Sequence, residues 1–175
     1  MKLTPPTAEE AAPYYFGYID LAVERGDVIT ALPKQIAELN TMLGSLSDDQ
    51  ALYKHAPIEW TIKEVVGHLI DAERIFAYRL TCISRNEKNP LPGFEQDDYV
   101  REANFNNYSI KDLLQEFEFV RRANIIAINY LTDTAVNNHG TASGNPVSVR
   151  ALIYMMVGHV DHHIKSLKKE YLPKI

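Results

Sequence analysis

Apolar residues in this chain recur at steps of three and four along four long segments, and the strict alternation of a half-buried strand is nearly absent. That pattern confines the fold to packed amphipathic helices. The first segment runs from about Thr7 to Leu46, with breaks expected near Gly26 and Pro33. Ser47-Asp48-Asp49-Gln50 then carries the capping pattern of a short helix, with Gln50 in the reaching-back position. The second segment has the best start signal in the chain. Thr61 and Glu64 form a capping box, Trp60 can staple onto Val65, and Val65, Leu69, Ala72 and Phe76 make a stripe that reaches about Ile83.

Residues 85–107 hold Asn89-Pro90, Pro92-Gly93 and several acids. They read as a long crossover loop with one helical turn near Gln96 to Glu102. Ser109 opens a third helix bearing Leu113, Phe117, Val120, Ile128 and Leu131, and a second loop covers residues 139–146. Ser148 caps a fourth helix that reaches about Tyr171. Four long helices with two long connections predict an all-α four-helix bundle, more than half helical, with at most an incidental pair of strands. At 175 residues the chain makes one domain over residues 1–175.

Charge and cysteine content exclude several function classes. Eighteen Lys and Arg against twenty-three Asp and Glu give a formal net charge of −5, which argues against nucleic acid as a partner. The cluster Lys165, Lys168 and Lys169 is a cationic helix end that suits the macrodipole. Cys82 is the only cysteine, so no intrachain disulfide can form, and it reads as a buried structural thiol. The start, Met1-Lys2-Leu3-Thr4-Pro5-Pro6, lacks the apolar stretch of a secretory signal, and the longest apolar run, from Ala151 to Val157, falls far short of the ~20 residues of a membrane span. A cytoplasmic location away from membranes is the expectation.

Three of the six histidines lie in the last helix. His159 and His163, four apart, share its apolar face with Leu152, Met156 and Leu167, roughly 6 Å between their Cβ atoms. Buried imidazoles need partners, and a divalent metal satisfies an i, i+4 pair. Gly158 just before them marks close approach by another element. On the second helix His68 follows Gly67 on a core-facing stripe and is the candidate third ligand. Asp71 and Asp161 are candidate carboxylate acceptors for the far ring nitrogens, or else solvated acids. His162 can replace His163 as ligand, shuttle protons or lie at the surface. Arg79, at the same angle as His68 and three turns on, either binds an anionic substrate or pairs with an acid. His55 and His139 sit in loop-like contexts and read as solvated. The nucleophile-elbow, phosphate-loop and dinucleotide motifs are missing, as are paired Glu-x-x-His motifs.

At these residues the chain resembles the DinB-like metal-binding proteins, in their YfiT-type branch. The resemblance rests on Pro13-Tyr14-Tyr15 through Asp20, Trp60 through Val65, Gly67 through Arg74, Pro92 through Asp97, Ser148 through Leu152, and Gly158 through His163. It departs from the family at Glu95, where aspartate is more frequent. The resemblance implies a four-helix bundle holding a divalent metal on three histidines, here His68, His159 and His163. Zinc, nickel and ferrous iron all accept imidazole. Characterised relatives include bacillithiol- or mycothiol-dependent S-transferases and a thiol-dependent isomerase, and many others are named as metal-dependent hydrolases. The expectation is therefore an enzyme of thiol S-transferase or hydrolase type acting on a small molecule, with Asp71 and His162 in catalytic roles, Arg79 binding a cofactor, and a low-molecular-weight thiol as a second cofactor. The alternatives are a non-enzymatic metal-binding stress protein and a bundle whose histidines are simply buried. A homodimer is expected from the resemblance and from the aromatic cluster Tyr14, Tyr15, Phe16 and Tyr18, which could instead form a lid on the metal pocket.

Overall fold

Side-chain caps start the long helices at the residues expected from sequence. In the computed structural model, which describes residues 3–175, Thr61 and Glu64 close their capping box: each backbone amide donates to the other's side chain, at 2.7 and 3.0 Å. Ser109 and Ser148 accept from Asp112 N and Ala151 N in the same way. The helices are α1 (Phe16–Arg25), α2 (Val28–Leu43), α3 (Ile62–Ser84), α4 (Gln96–Ala103), α5 (Ile110–Asn129), α6 (Asp133–Val136) and α7 (Val149–Ser166), with a π turn at Leu167–Tyr171. Met1 and Lys2, which open the stretch weighed above as a signal, lie outside the described residues.

Four local expectations change. The chain breaks at Gly26, whose φ of 98° suits only glycine, but Pro33 stays inside α2. Buried Ala31, Leu32, Ile36 and Leu39 on both sides of the proline hold the helix together although one amide is missing. Residues 7–12 are not helical, and the short helix after Ser47 is a single 3-10 turn, Gln50–Leu52. The second loop contains a hairpin, β1 (His139–Ala142) and β2 (Asn145–Ser148), turned by Ser143 and Gly144, both at positive φ.

Helices α2, α5, α3 and α7 close a ring in which each packs on two neighbours, and α1 lies along α7. The resulting four-helix bundle is 67% helical. Its core comes in two apolar parts. One gathers Leu32, Phe76, Leu80, Leu152 and Met156, and the other Leu39, Ile70, Leu113, Phe117 and Ile164. Between them lies a buried polar layer. The guanidinium of Arg121, fully buried, donates to Gln35 Oε1 and Glu73 Oε2, both at 2.8 Å, and to the Met156 carbonyl at 3.2 Å. Gln35 in turn donates to the Val157 carbonyl and to Asp161, and Asn124 donates to Glu73. All four helices of the ring are thus joined by one network.

The segment before α1 is clasped separately. Glu10, almost fully buried, accepts from Arg150, the Ser148 hydroxyl and the Thr7 amide. The crossover loop is tied to the hairpin: Leu91 exchanges backbone hydrogen bonds with Thr141 and Ser143, at 2.8 and 3.1 Å. Cys82 is half-buried rather than fully buried. Among the described residues no helix is long and apolar enough to cross a membrane.

Two outcomes follow from these contacts. Arg121→Met leaves the buried Glu73 carboxylate without a counter-charge, with only Asn124 donating to it, and should cost about 3–5 kcal/mol in urea unfolding, while Arg121→Met combined with Glu73→Leu recovers much of that loss. Burial works to raise the pKa of Glu10, but the Arg150, Thr7 and Ser148 hydrogen bonds outweigh it and bring the carboxyl from 4.5 down to about 2. A carboxyl depressed in the folded state stabilises above its unfolded pKa and loses that contribution as pH falls through the folded one. Glu10→Gln should therefore remove about 1–2 kcal/mol of stability at pH 7, less than the full linkage value because the Arg150 side of the pair is solvated, and flatten the acid limb of the pH–stability curve between about pH 5 and 2.

Candidate metal centre

Two glycines set the histidines' surroundings. A Cβ at Gly158 would lie 1.7 Å from the Tyr18 carbonyl oxygen, so only glycine lets α1 settle on α7 one residue before His159. A Cβ at Gly67 would lie 2.3 Å from the Phe105 ring, so the turn after α4 packs directly on α3 one residue before His68. Both ligand candidates therefore sit where a second element presses on their helix. The polar layer grips α7 at the carbonyls of Met156 and Val157, immediately before the same turn.

His68, His159 and His163 come together there. One nitrogen from each ring lies within 4.8 Å of the others, and His68 Nε2 and His159 Nε2 are 2.9 Å apart. Two neutral Nε2 atoms at that separation either share a proton or face a common cation. A divalent ion about 2.0–2.1 Å from each imidazole nitrogen holds its ligand nitrogens roughly 3 Å apart, so the donor set fits one. Its ionisation state fits as well. Burial, followed by repulsion from neighbouring histidines, lowers the pKa of all three rings, of His68 to about 4 and of His159 and His163 well below the usual range. At neutral pH the three rings are uncharged, the form that binds metal.

Aromatic side chains wall the cluster. Trp60 lies 4.8 Å from His68 and stacks at 6.5 Å with His163, while Phe76 and Tyr18 meet His159 edge-on at 5.9 and 5.3 Å. The larger of two cavities, about 560 Å³, is bounded by Tyr14, Tyr15, Tyr18, Phe94, His68 and His159. A smaller one, about 420 Å³, reaches His163 beside Trp60, His162 and Asp97. The tyrosines at the start of the chain thus occupy the position that the lid alternative gave them, while Phe16 packs on the core.

The other candidates separate from the cluster. Asp161 accepts from Arg25 and Gln35, at 2.7 and 2.8 Å, as part of the polar layer. Asp71 faces Arg74 at 4.0 Å, outside the linings of both cavities, and its half-buried carboxyl is pushed up by desolvation. Among the described residues neither carboxylate hydrogen-bonds to the three rings. Arg79, 2% exposed, donates from Nη2 to the Pro92 carbonyl and the Ser143 hydroxyl, at 2.9 and 2.8 Å, and among the described residues pairs with no acid. It braces the loop that carries Gly93 to Asp97 into the cavity wall. His162 is exposed, its ring 5.1 Å from His163 and 5.4 Å from Tyr18. His139 is exposed as expected, but His55 is not solvated: it pairs with Glu170 at 3.1 Å and lies against Tyr171. Two parts of the surroundings are not legible in sequence as site residues: Trp60 reads there as a staple on Val65, and Asp97 as part of a helical turn near Gln96 to Glu102, yet Trp60 lies against two of the rings and Glu95 and Asp97 stand at the cavity rim.

Comparison with known proteins places this geometry. The family model described as the DinB superfamily matches residues 31–167. A protein of Oceanobacillus iheyensis, named as a proposed metal-dependent hydrolase, is 23% identical over 141 residues, 77% of this chain and 80% of that one. The solved structure of YfiT from Bacillus subtilis, a proposed metal-dependent hydrolase with an unusual four-helix-bundle topology, has a TM-score of 0.77 at 14% identity, over 98% of this chain and 93% of its own. That of a mycothiol-dependent maleylpyruvate isomerase has a TM-score of 0.66 at 16% identity, over 86% of this chain and 62% of its own. At these identities the two structures establish the shared fold.

Elemental analysis of untagged protein and four single variants checks the ligand set. His68→Ala, His159→Ala and His163→Ala should each lose most of the bound divalent metal while keeping a helical circular-dichroism spectrum, because the apolar layers form without it. His162→Ala should keep near-full occupancy. Loss in His162→Ala with retention in His163→Ala would move the ligand by one position.

Proposed function

We propose, for a chain that belongs to the DinB superfamily, a metal-dependent enzyme of hydrolase type that acts on a small molecule. One observation carries this reading: three uncharged imidazoles from two helices converge at the inner end of a cavity large enough for a substrate. A structural bundle has no use for that convergence beside open space, since a buried His–His contact alone stabilises little.

A divalent ion held by three neutral imidazoles supplies Lewis-acid activation at its open coordination positions. The chain's own residues do the rest. His68 and His159 fix two ligand directions from facing helices, and the glycine contacts beside them remove slack from both backbones. Trp60, Phe76 and Tyr18 exclude bulk water from the rings. Burial, with the neighbouring Tyr15, raises the pKa of Tyr18, so its hydroxyl keeps its proton at neutral pH and serves as a donor at the cavity wall. His162, exposed next to His163, exchanges protons between the smaller cavity and solvent. The names of the Oceanobacillus and Bacillus relatives favour hydrolysis.

Thiol transfer is the second reading, favoured by the likeness to the mycothiol-dependent isomerase. The two separate in one screen. Protein loaded in turn with zinc, nickel and ferrous iron is offered ester and amide substrates without thiol, then chlorinated and epoxide electrophiles with small thiols. Cleavage without thiol supports the hydrolase, and turnover only with thiol supports the transferase. Metal binding with no turnover in either arm points to a binding protein. In the active arm, His162→Ala should lower kcat about tenfold or more with KM little changed.

A further inference from the structure

Two arginines lie buried in this bundle, and among the described residues only one of them has an acid. Arg121 pairs with Glu73. Arg79 has only neutral partners, the Pro92 carbonyl and the Ser143 hydroxyl, and both accept from Nη2. The N–H bonds of Nε and Nη1 have no protein acceptor among the described residues, yet they are not sealed in the core. The sealed, unpartnered side-chain atoms there are His55 Nδ1 and Arg121 Nε. Arg79 instead lines a third cavity, about 250 Å³, which shares Gly93 and Phe94 as a wall with the larger histidine cavity. A guanidinium without a counter-charge at this depth is costly, and neutral oxygens offset it only in part. Bracing a carbonyl and a hydroxyl needs donors, not a charge.

The rest of that cavity suits an organic anion. Among the described residues no aspartate or glutamate lines it, and its other cation, Arg74, pairs with Glu116 at 2.5 Å and faces Asp71 at 4.0 Å. Ile75, Phe94 and the exposed rings of Tyr78 and Tyr99 make most of the remaining surface, with the Phe94 and Tyr99 rings 5.3 Å apart. We infer that this cavity binds a small monocarboxylate, its carboxylate on Arg79 and its apolar body against Ile75, Phe94 and Tyr99. One uncompensated guanidinium balances one negative charge and leaves a phosphate dianion half-neutralised. The volume falls below the ~300–1,000 Å³ of sites for drug-sized ligands, so the occupant is about the size of a substituted ring. His68 stands three turns earlier on α3, about 16 Å along the helix axis. A ligand this small does not reach both, and the inference stands apart from the metal-centre reading. Its occupant completes the charge of the residue that ties α3 to the crossover loop and the hairpin, so binding stiffens the wall that the histidine cavity shares.

Matched benzene derivatives test the charge and the place together. Isotope-labelled protein is titrated at low salt with benzoate, benzamide, benzylamine and inorganic phosphate, and binding is read by NMR from the amides around Ile75 and Gly93 and from the Arg79 Nε–H resonance. Benzoate should bind about tenfold tighter than benzamide, with benzylamine and phosphate weaker still. Arg79→Gln should lower the benzoate affinity to that of benzamide. Ile75→Trp fills the cavity and leaves the guanidinium in place. It should weaken benzoate about tenfold or more, and it decides the matter where Arg79→Gln does not fold. His68→Ala should bind benzoate as the unmodified protein does, which separates this site from a carboxylate on a metal. Benzoate no tighter than benzamide overturns the inference, as does phosphate tighter than benzoate. So does benzoate binding that survives Arg79→Gln or Ile75→Trp, or that His68→Ala abolishes.

Discussion

The structure depends on one charge buried between its two apolar layers. Arg121 has no exposure, and its guanidinium joins α5 to Gln35 on α2, to Glu73 on α3 and to the Met156 carbonyl of α7. Taking a guanidinium and a carboxylate out of water costs several kcal/mol each, and only good geometry offsets that. The offset here is incomplete, since Arg121 Nε has no partner. Phe117 lies under the guanidinium at 5.1 Å and adds a cation–π contact. Such a layer adds little net stability, but it admits only one register. A bundle of leucine and isoleucine stripes can slide by a turn at small cost, whereas sliding past Arg121 strands a charge.

That register matters because the histidines lie at the same level as the polar layer. Gln35 and Arg121 bind the α7 carbonyls of residues 157 and 156, and His159 follows within one turn. From Asp161 the network continues to Arg25 on α1, then to Glu38 and Lys168, where it meets solvent. The helix bearing two ring nitrogens is therefore held on one side by charge and on the other by the Tyr18 carbonyl pressed onto Gly158. Rigid placement of this kind is what a metal site of three imidazoles requires, since its ligands must be in place before the ion arrives.

The loop wall of the cavity is held from behind. Leu91 pairs with the hairpin, Arg79 holds Pro92 and Ser143, and the chain between them and α4 presents Glu95 and Asp97 at the cavity. A buried cation thus positions exposed anions. Net charge alone cannot say that acids stand at this opening, because the same twenty-three acids give the same net charge wherever on the surface they lie.

What sequence alone determined is local or periodic. The caps at Thr61, Ser109 and Ser148 are hydrogen bonds between residues three apart, and the stripes through Leu69 and Leu152 repeat within one helix. Both are visible without knowing where the chain goes next, so the bundle and the histidine spacing on α7 were legible. Even the close approach at Gly158 was signalled, because glycine inside a helix costs stability that something else must offset. Tertiary structure decided what depends on pairing across the chain. Arg121 sits 86 residues from Gln35 and 48 from Glu73, and in sequence it is one more arginine beside Arg122. In sequence Asp161 reads as a carboxylate acceptor or a solvated acid and Arg79 as an anion binder or the partner of an acid, because position along a helix fixes only the side from which a group leaves. Its partner is whichever group the fold brings opposite, and here those were Arg25, Gln35, Pro92 and Ser143.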